Sequence, residues 1–208
     1  MAHDPTPVVR AHLGKHFSRV IAESTYAFDP RRIEALRDRS VLVIEGPSQL
    51  AYDDPEIGFT LPEGRHVWLS VAAGRVMEIV AGANAQPMTL GEAHARAVTI
   101  AEALSSLPFA EPKPALPTLA EVRWELDQVT SDGYEIPLAR YRFRDAQWTL
   151  RLSWLGKSAP SPRDAYVVSM RWSSEALEDE LVNQVLDKRL EHGDEDQALP
   201  LSAWMKGS

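Results

Sequence analysis

Cysteine is absent from this chain of 208 residues. Disulfides, thiolate catalysis, zinc ribbons and iron–sulfur clusters are excluded with it. No apolar run approaches the ~20 residues that a membrane-crossing helix needs. Met1-Ala2-His3-Asp4-Pro5 lacks the form of a signal peptide. The expectation is a soluble chain, cytoplasmic by default and periplasmic if an N-terminal anchor is missing from it. Catalytic signatures are absent too. There is no Gly-x-Gly-x-x-Gly, no P-loop and no His-Glu-x-x-His. There is no Gly-x-Ser-x-Gly elbow, and Ser48 in Gly46-Pro47-Ser48 lacks the strand–turn–helix context of one. No cofactor is expected. Positive charge is in short supply: 22 Lys and Arg against 30 Asp and Glu give a net charge of -8. Such a surface repels a phosphate backbone and favours a basic protein partner, so nucleic acid is not expected.

What is present is ordinary for a globular chain: 44% hydrophobic and 25% charged residues, so a real core is affordable and disorder is excluded as the general state. Val8, Val9, Leu13, Phe17, Val20 and Ile21 recur at helical spacing and predict one helix from Pro7 to about Glu23. Asp29-Pro30 opens a short helix over 31–37. Val41 to Glu45 reads as a strand halted by Gly46-Pro47, followed by a loop-rich stretch over 50–62 with a short strand near Phe59. Val67 to Ala72 and Val76 to Ala81 form a hairpin around Ala73-Gly74. Thr89-Leu90-Gly91-Glu92 is a capping box, which predicts a helix to about Leu107 with Ala93, Ala97, Ile100, Ala101 and Leu104 inward.

Residues 108–117 hold four prolines and mark the boundary between halves. Thr118-Leu119-Ala120-Glu121 is a second capping box, opening a helix with Leu119, Val122, Leu126 and Val129 apolar. Strands follow at 138–144, 147–155 and 165–172, each apolar on one face and polar on the other. A helix over 174–192 carries Leu177, Leu181, Val182, Val185 and Leu186 inward. The tail is expected to dock Leu201 and Trp204. The fold class is therefore α+β, with antiparallel strands and one amphipathic helix in each half. The halves are 1–107 and 118–208, joined by the linker at 108–117. They form two lobes or one sheet continued across both.

Four groups of residues are candidates for function. His12 and His16 are four apart, the spacing that lets two imidazoles share a helix face and a metal, but no third ligand follows, so no metal site is assigned. Arg140, Arg142 and Arg144 alternate along one strand, and Arg151 and Arg171 can join them from neighbours. Such a face could grip an acidic partner or a phosphate, or simply be solvated and paired with Glu175, Glu178, Asp179 and Glu180. Asp53, Asp54 and Glu56 form an acidic loop tip, suited to plugging a basic site. Among six tryptophans, Trp148, Trp154 and Trp172 fall on core faces, while Trp68, Trp124 and Trp204 are open to an interface role.

Gly74-Arg75-Val76-Met77-Glu78-Ile79, followed by Pro87-Met88-Thr89-Leu90-Gly91-Glu92-Ala93 and, at the end, Leu-Pro-Leu-Ser-x-Trp, resembles a pattern in uncharacterised proteobacterial proteins of immunity type. The resemblance spans about 57–107 plus that ending. It implies a protein that protects a cell from a secreted antibacterial effector, and it transfers no functional residues. The leading expectation is a non-enzymatic immunity or inhibitor protein that occludes a basic toxin or effector. An enzyme with acids in an inter-lobe cleft and a scaffold subunit of a secretion apparatus are the alternatives.

Overall fold

The computed structural model describes residues 5–109, 114–128, 133–156, 165–193 and 197–205. In chain order the elements are β1 (Val8–Ala11), α1 (Phe17–Glu23), α2 (Pro30–Ala35), β2 (Arg39–Asp53), β3 (Gly58–Thr60), β4 (Gly64–Ala72) and β5 (Arg75–Gly82). Then come α3 (Leu90–Leu104), α4 (Leu119–Asp127), β6 (Glu135–Phe143), β7 (Ala146–Trp154), β8 (Tyr166–Ser173), α5 (Glu175–Glu191) and a helical turn at Leu201–Ala203. Both capping boxes form as their spacing predicts: Thr89 and Glu92, and Thr118 and Glu121, each exchange side-chain and backbone hydrogen bonds. Val129, expected on the inner side of α4, and residues 110–113 of the proline-rich stretch lie outside the described residues.

Two stretches fold otherwise than their patterns predict. The helix expected from Pro7 is a strand followed by a shorter helix. Val8 and Val9 are β-branched and pair in parallel with β2, from Val8↔Gln49 to Ala11↔Tyr52. Gly14 at φ +78° then turns the chain, and His16 caps α1. The second correction concerns Gly46-Pro47, which does not halt its strand. Gly46 at φ +97° and Pro47, which has no N–H to donate, sit in a β-bulge between Glu45 and Ser48, and β2 runs on to Asp53.

That bulge divides the work of β2. Its first half pairs with β4; its second half pairs with β1 and β3. The main sheet has the order β1-β2-β4-β5-β8-β7-β6, all antiparallel except β1. The halves of the chain meet at β5 and β8, paired from Glu78↔Ser173 to Gly82↔Ser169, so one sheet continues across both. The fold is α+β. One buried cluster draws residues from Val9 to Leu201.

The inner face carries Leu42, Ile44, Leu69, Ile79, Trp172, Met170, Leu150 and Trp148, all buried. The second half of β2 folds over this face. Tyr52 stacks on Trp172 at 5.6 Å and meets Trp148 edge-on at 4.6 Å. Phe109 closes the group against Trp148 and Tyr141. Helix α3 covers β7 and β8 with buried Ala93, Ala97, Ile100 and Leu104. α5 packs mainly on the hairpin end of β4 and β5, where Leu181 and Val185 meet Ala72, Ala73 and Met77, with Trp204 of the tail beside them. It therefore buries one narrow row, and Leu186, expected inward, stands exposed.

The tail docks as expected. Leu201 is buried, and Trp204 lies under the Lys188 ammonium, 4.0 Å from its ring centre. Its anchor is Asp38, fully buried. Asp38 accepts from Arg189 Nε at 2.8 Å and Nη2 at 2.7 Å, and from the Leu199 N–H at 2.9 Å. Burial by itself raises the Asp38 pKa; the guanidinium and the N–H outweigh it and hold the carboxyl below its usual value.

A carboxylate with a depressed folded-state pKa stabilises the fold above its unfolded value, near 3.8, and that contribution is lost as pH falls through the folded value. Asp38→Asn should therefore flatten the acid limb of stability below pH ~4, measured as the urea midpoint against pH. A second expectation comes from close packing. A Cβ on Gly64 would lie 1.9 Å from the Gly82 carbonyl oxygen, whereas one on Gly91 meets nothing within 4 Å. Gly64→Ala should cost more than about 2 kcal/mol in urea unfolding, and Gly91→Ala should be neutral or stabilising by up to about 1 kcal/mol.

Candidate functional site

The residues that alternate with the inner face point outward, and strand register arranges them in rows. One row runs Val43, Trp68, Val80, Arg171, Thr149, Arg140 across β2, β4, β5, β8, β7 and β6. The next holds Val41, Ser70, Glu78, Ser173, Gln147 and Arg142. A third holds Glu45, His66, Gly82, Ser169 and Arg151. On the β2–β5 side Val41, Val43, Trp68 and Val80 form an apolar strip bordered by Glu45, His66, Ser70 and Glu78, and the β6 side is basic. Helix α5 borders it at one end only, where Arg39 on the same side of β2 as Val41 meets Glu178 at 3.6 Å. Val41 is 58% exposed and Trp68 46%.

Beside Trp68 lies a cavity of about 490 Å³, lined by Val43, Glu45, Gly46, Arg65, His66 and Trp68. The His66 ring stands 5.5 Å from the indole and lies over Gly82. Burial, helped by the charge of Arg65, lowers the His66 pKa, so the ring is neutral at pH 7 and offers one donor and one acceptor. At the other end of the face a polar cavity of about 420 Å³ is lined by Arg140, Arg142, Asp145, Gln147, Ser173 and Glu175.

Four of the five candidate arginines share this outer face: Arg140, Arg142, Arg151 and Arg171. Arg144 does not. It occupies the β6–β7 turn at φ +52° and pairs with Glu56 across the molecule. Arg151 pairs with Glu135, and Arg171 with Glu78. Those acids sit on neighbouring strands; of the α5 acids expected as partners, Glu178 goes to Arg39 instead.

The acidic tip is largely committed within the molecule. Asp53 ends β2 and accepts from the buried Lys15 ammonium at 2.6 Å, which also meets Glu23 at 2.8 Å. Asp54 accepts the Glu56 N–H at 2.9 Å and shapes the turn. Glu56 holds Arg144. His12 and His16 do not share a helix. His12 Nδ1 faces the Leu13 carbonyl at 2.9 Å, and His16 Nε2 the Trp204 carbonyl at 3.1 Å. No group of three metal-ligating side chains occurs among the described residues.

The roomiest cavity, about 980 Å³, lies at the start of α3 between Pro62, Glu63, Asn84, Met88, Glu92 and Arg96. Asn84, Glu63 and Glu92 in its lining are engaged in structural contacts. Asn84 bridges the Gln86 carbonyl and the Val168 N–H, Glu63 accepts from Thr6, and Glu92 belongs to the capping box.

The exposed Trp68–Val41 strip was missed as a strip because its members come from separate strands. The signal that marks it is the run Val41, Val43 and Trp68 on the positions alternating with Leu42, Ile44 and Leu69: at these positions β2 and β4 carry apolar side chains on both faces. Trp124, also exposed, stands on α4 beside exposed Ala120, Arg123 and Asp127. Comparison with known proteins gives no match: no protein-family model, no curated protein and no solved structure aligns with this chain.

The two acidic contacts differ sharply in burial, and this can be measured. Removing Lys15 leaves Asp53 and Glu23 facing one another, and Asp53 already has one buried oxygen without a partner. Lys15→Ala should cost about 3 kcal/mol. Arg144→Gln, at an exposed pair, should change stability by less than about 0.5 kcal/mol in the same urea titration.

Proposed function

We propose that this chain is a non-enzymatic protein-binding module of immunity or inhibitor type, and that its outer sheet face is the surface that meets the partner. The observation that carries this reading is Trp68, 46% exposed on an internal strand, with Val41 at 58% two registers away. Nothing in folding requires a tryptophan there. Burying its ring would be worth roughly 2–3 kcal/mol that the isolated chain forgoes. Tryptophan and arginine are the side chains most enriched at the centres of protein interfaces, and this face supplies both, with the neutral His66 beside Trp68 and solvent-facing charge around the rim.

The fold supports occlusion more than catalysis. A broad sheet face can cover a partner's working site without chemistry of its own and without a cofactor. The acids of the largest cavity are engaged in structural contacts. The acidic tip is also engaged, so the plug assigned to Asp53, Asp54 and Glu56 moves to the sheet face, where Arg140, Arg142, Arg151 and Arg171 form the polar side. The partner is a basic toxin or effector that the net charge of -8 draws in at long range.

The immobilised chain, exposed to lysate of its own cells, should retain one stoichiometric protein. Trp68→Ala should weaken that complex by about 30-fold or more with the melting temperature unchanged. Cells expressing the wild-type chain should survive the captured protein, and cells expressing Trp68→Ala should not. Capture that ignores Trp68 would remove the sheet face from the reading. A harmless captured protein would remove the inhibitor assignment.

A further inference from the structure

We infer that the occupant of the outer face is an amphipathic helix with basic flanks, seated in the angle between the apolar end of the sheet and α5. This rests on the protein-binding reading of the same face and names the chemistry of the partner segment.

The floor of that angle is Val41, Val43, Trp68 and Val80, on three adjacent strands. Three strands span about 10 Å, the width of one helix. The wall is α5. Glu178, Val182, Leu186 and Leu190 recur at intervals of four and so form one row along it. Glu178 reaches Arg39 at 3.6 Å, which turns the start of that row toward the β2 side of the floor. Val182 packs partly against the core, whereas Leu186 is 45% exposed and Leu190 52%. Val41 and Trp68 on the floor and Leu186 and Leu190 on the wall are thus apolar side chains left exposed among the described residues.

The strands of the floor are already paired with one another, so their backbone offers no ladder to an extended peptide. An occupant must satisfy its own backbone hydrogen bonds, and a helix does so.

Charge selects the flanks. Helix α5 holds six acids and two bases. Both bases are committed: Lys188 to the Ala203 carbonyl and the Trp204 ring, Arg189 to Asp38. Glu175, Asp179, Asp187 and Glu191 form no ion pair among the described residues. On the floor, Arg171 is neutralised by Glu78. Arg140 is four strand spacings from Trp68, about 19 Å, beyond the Debye length at physiological salt. Arg65 beside Trp68 shares its cavity with Glu45, which offsets it; along α5 the field is negative, and lysine or arginine beside the partner's apolar row is complementary to it.

Three synthetic peptides of about 18 residues, five helical turns, test this on the intact chain. The first places leucines on one helical face with lysines flanking them. The second replaces every lysine with glutamate. The third keeps the first composition but scatters the leucines around the helix. The first should bind, with amide shifts concentrated in 41–43, 66–70 and 178–190. Its affinity should exceed that of either other peptide by about tenfold or more and fall with added salt. Asp179→Lys with Asp187→Lys, at exposed positions, should weaken it about tenfold, and Trp68→Ala at least as much. Equal or tighter binding of the glutamate or scattered peptide overturns the inference, as do shifts elsewhere or no binding by the first. A glutamate peptide that binds through Trp68 would still leave the face a docking site, so failure of the partner chemistry is distinguishable from failure of the functional reading.

Discussion

The fold depends on the bend in β2. A strand of fifteen residues cannot cover the face of the sheet it belongs to unless something turns it, and Gly46-Pro47 does so. The bulge lays Tyr52 against Trp148 and Trp172, and the aromatic group joins the first strand segment to the last two. The indole N–H groups of Trp148 and Trp172 find no acceptor among the described residues, and an unpaired buried donor costs about 1–3 kcal/mol. The apolar area of three large rings offsets that cost. Around this contact the remaining inner cover is arranged: β1 and β3 flank the folded-over half of β2, and α3 fills the rest.

Covering the inner face from within the sheet has a consequence for the outer one. Of the five helices, α3 packs on the inner face and α5 reaches only the hairpin end. Among the described residues no layer lies above the strip from Val43 to Val80. A half-buried antiparallel sheet normally presents polar residues to water. Here the alternating positions of β2, β4 and β5 carry Val41, Val43, Trp68 and Val80 beside Glu45, His66, Ser70 and Glu78, while those of β8, β7 and β6 are mainly polar. The change of character across one face is what gives it the look of a contact surface.

Charge is distributed to the same effect. On or near the sheet face Arg171, Arg151 and Arg144 are matched by Glu78, Glu135 and Glu56, and the deep cation Lys15 holds two carboxylates. The unmatched charge collects on α5. A count of acids along the chain finds the surplus; only packing shows which acids are already used. Asp53 and Glu175 are equivalent as letters, yet one is tied to a buried ammonium and the other stands in water.

By itself the sequence determined whatever depends on neighbours within a few residues. The two capping boxes, the Ala73-Gly74 hairpin, the alternation of β7 and β8, and the docking of Leu201 and Trp204 are legible because their causes are short-range hydrogen bonds and side-chain periodicity. Local pattern misled where a distant partner decided. Val8 and Val9 became a strand because the edge of β2 was there to pair, and Gly46-Pro47 became a bulge because β4 continued on one side while β1 and β3 waited on the other. The candidate surface belongs wholly to the tertiary structure. Val41, Trp68, Val80 and Leu186 lie on four separate elements, and their exposure is set by which layer the chain had left to place over them.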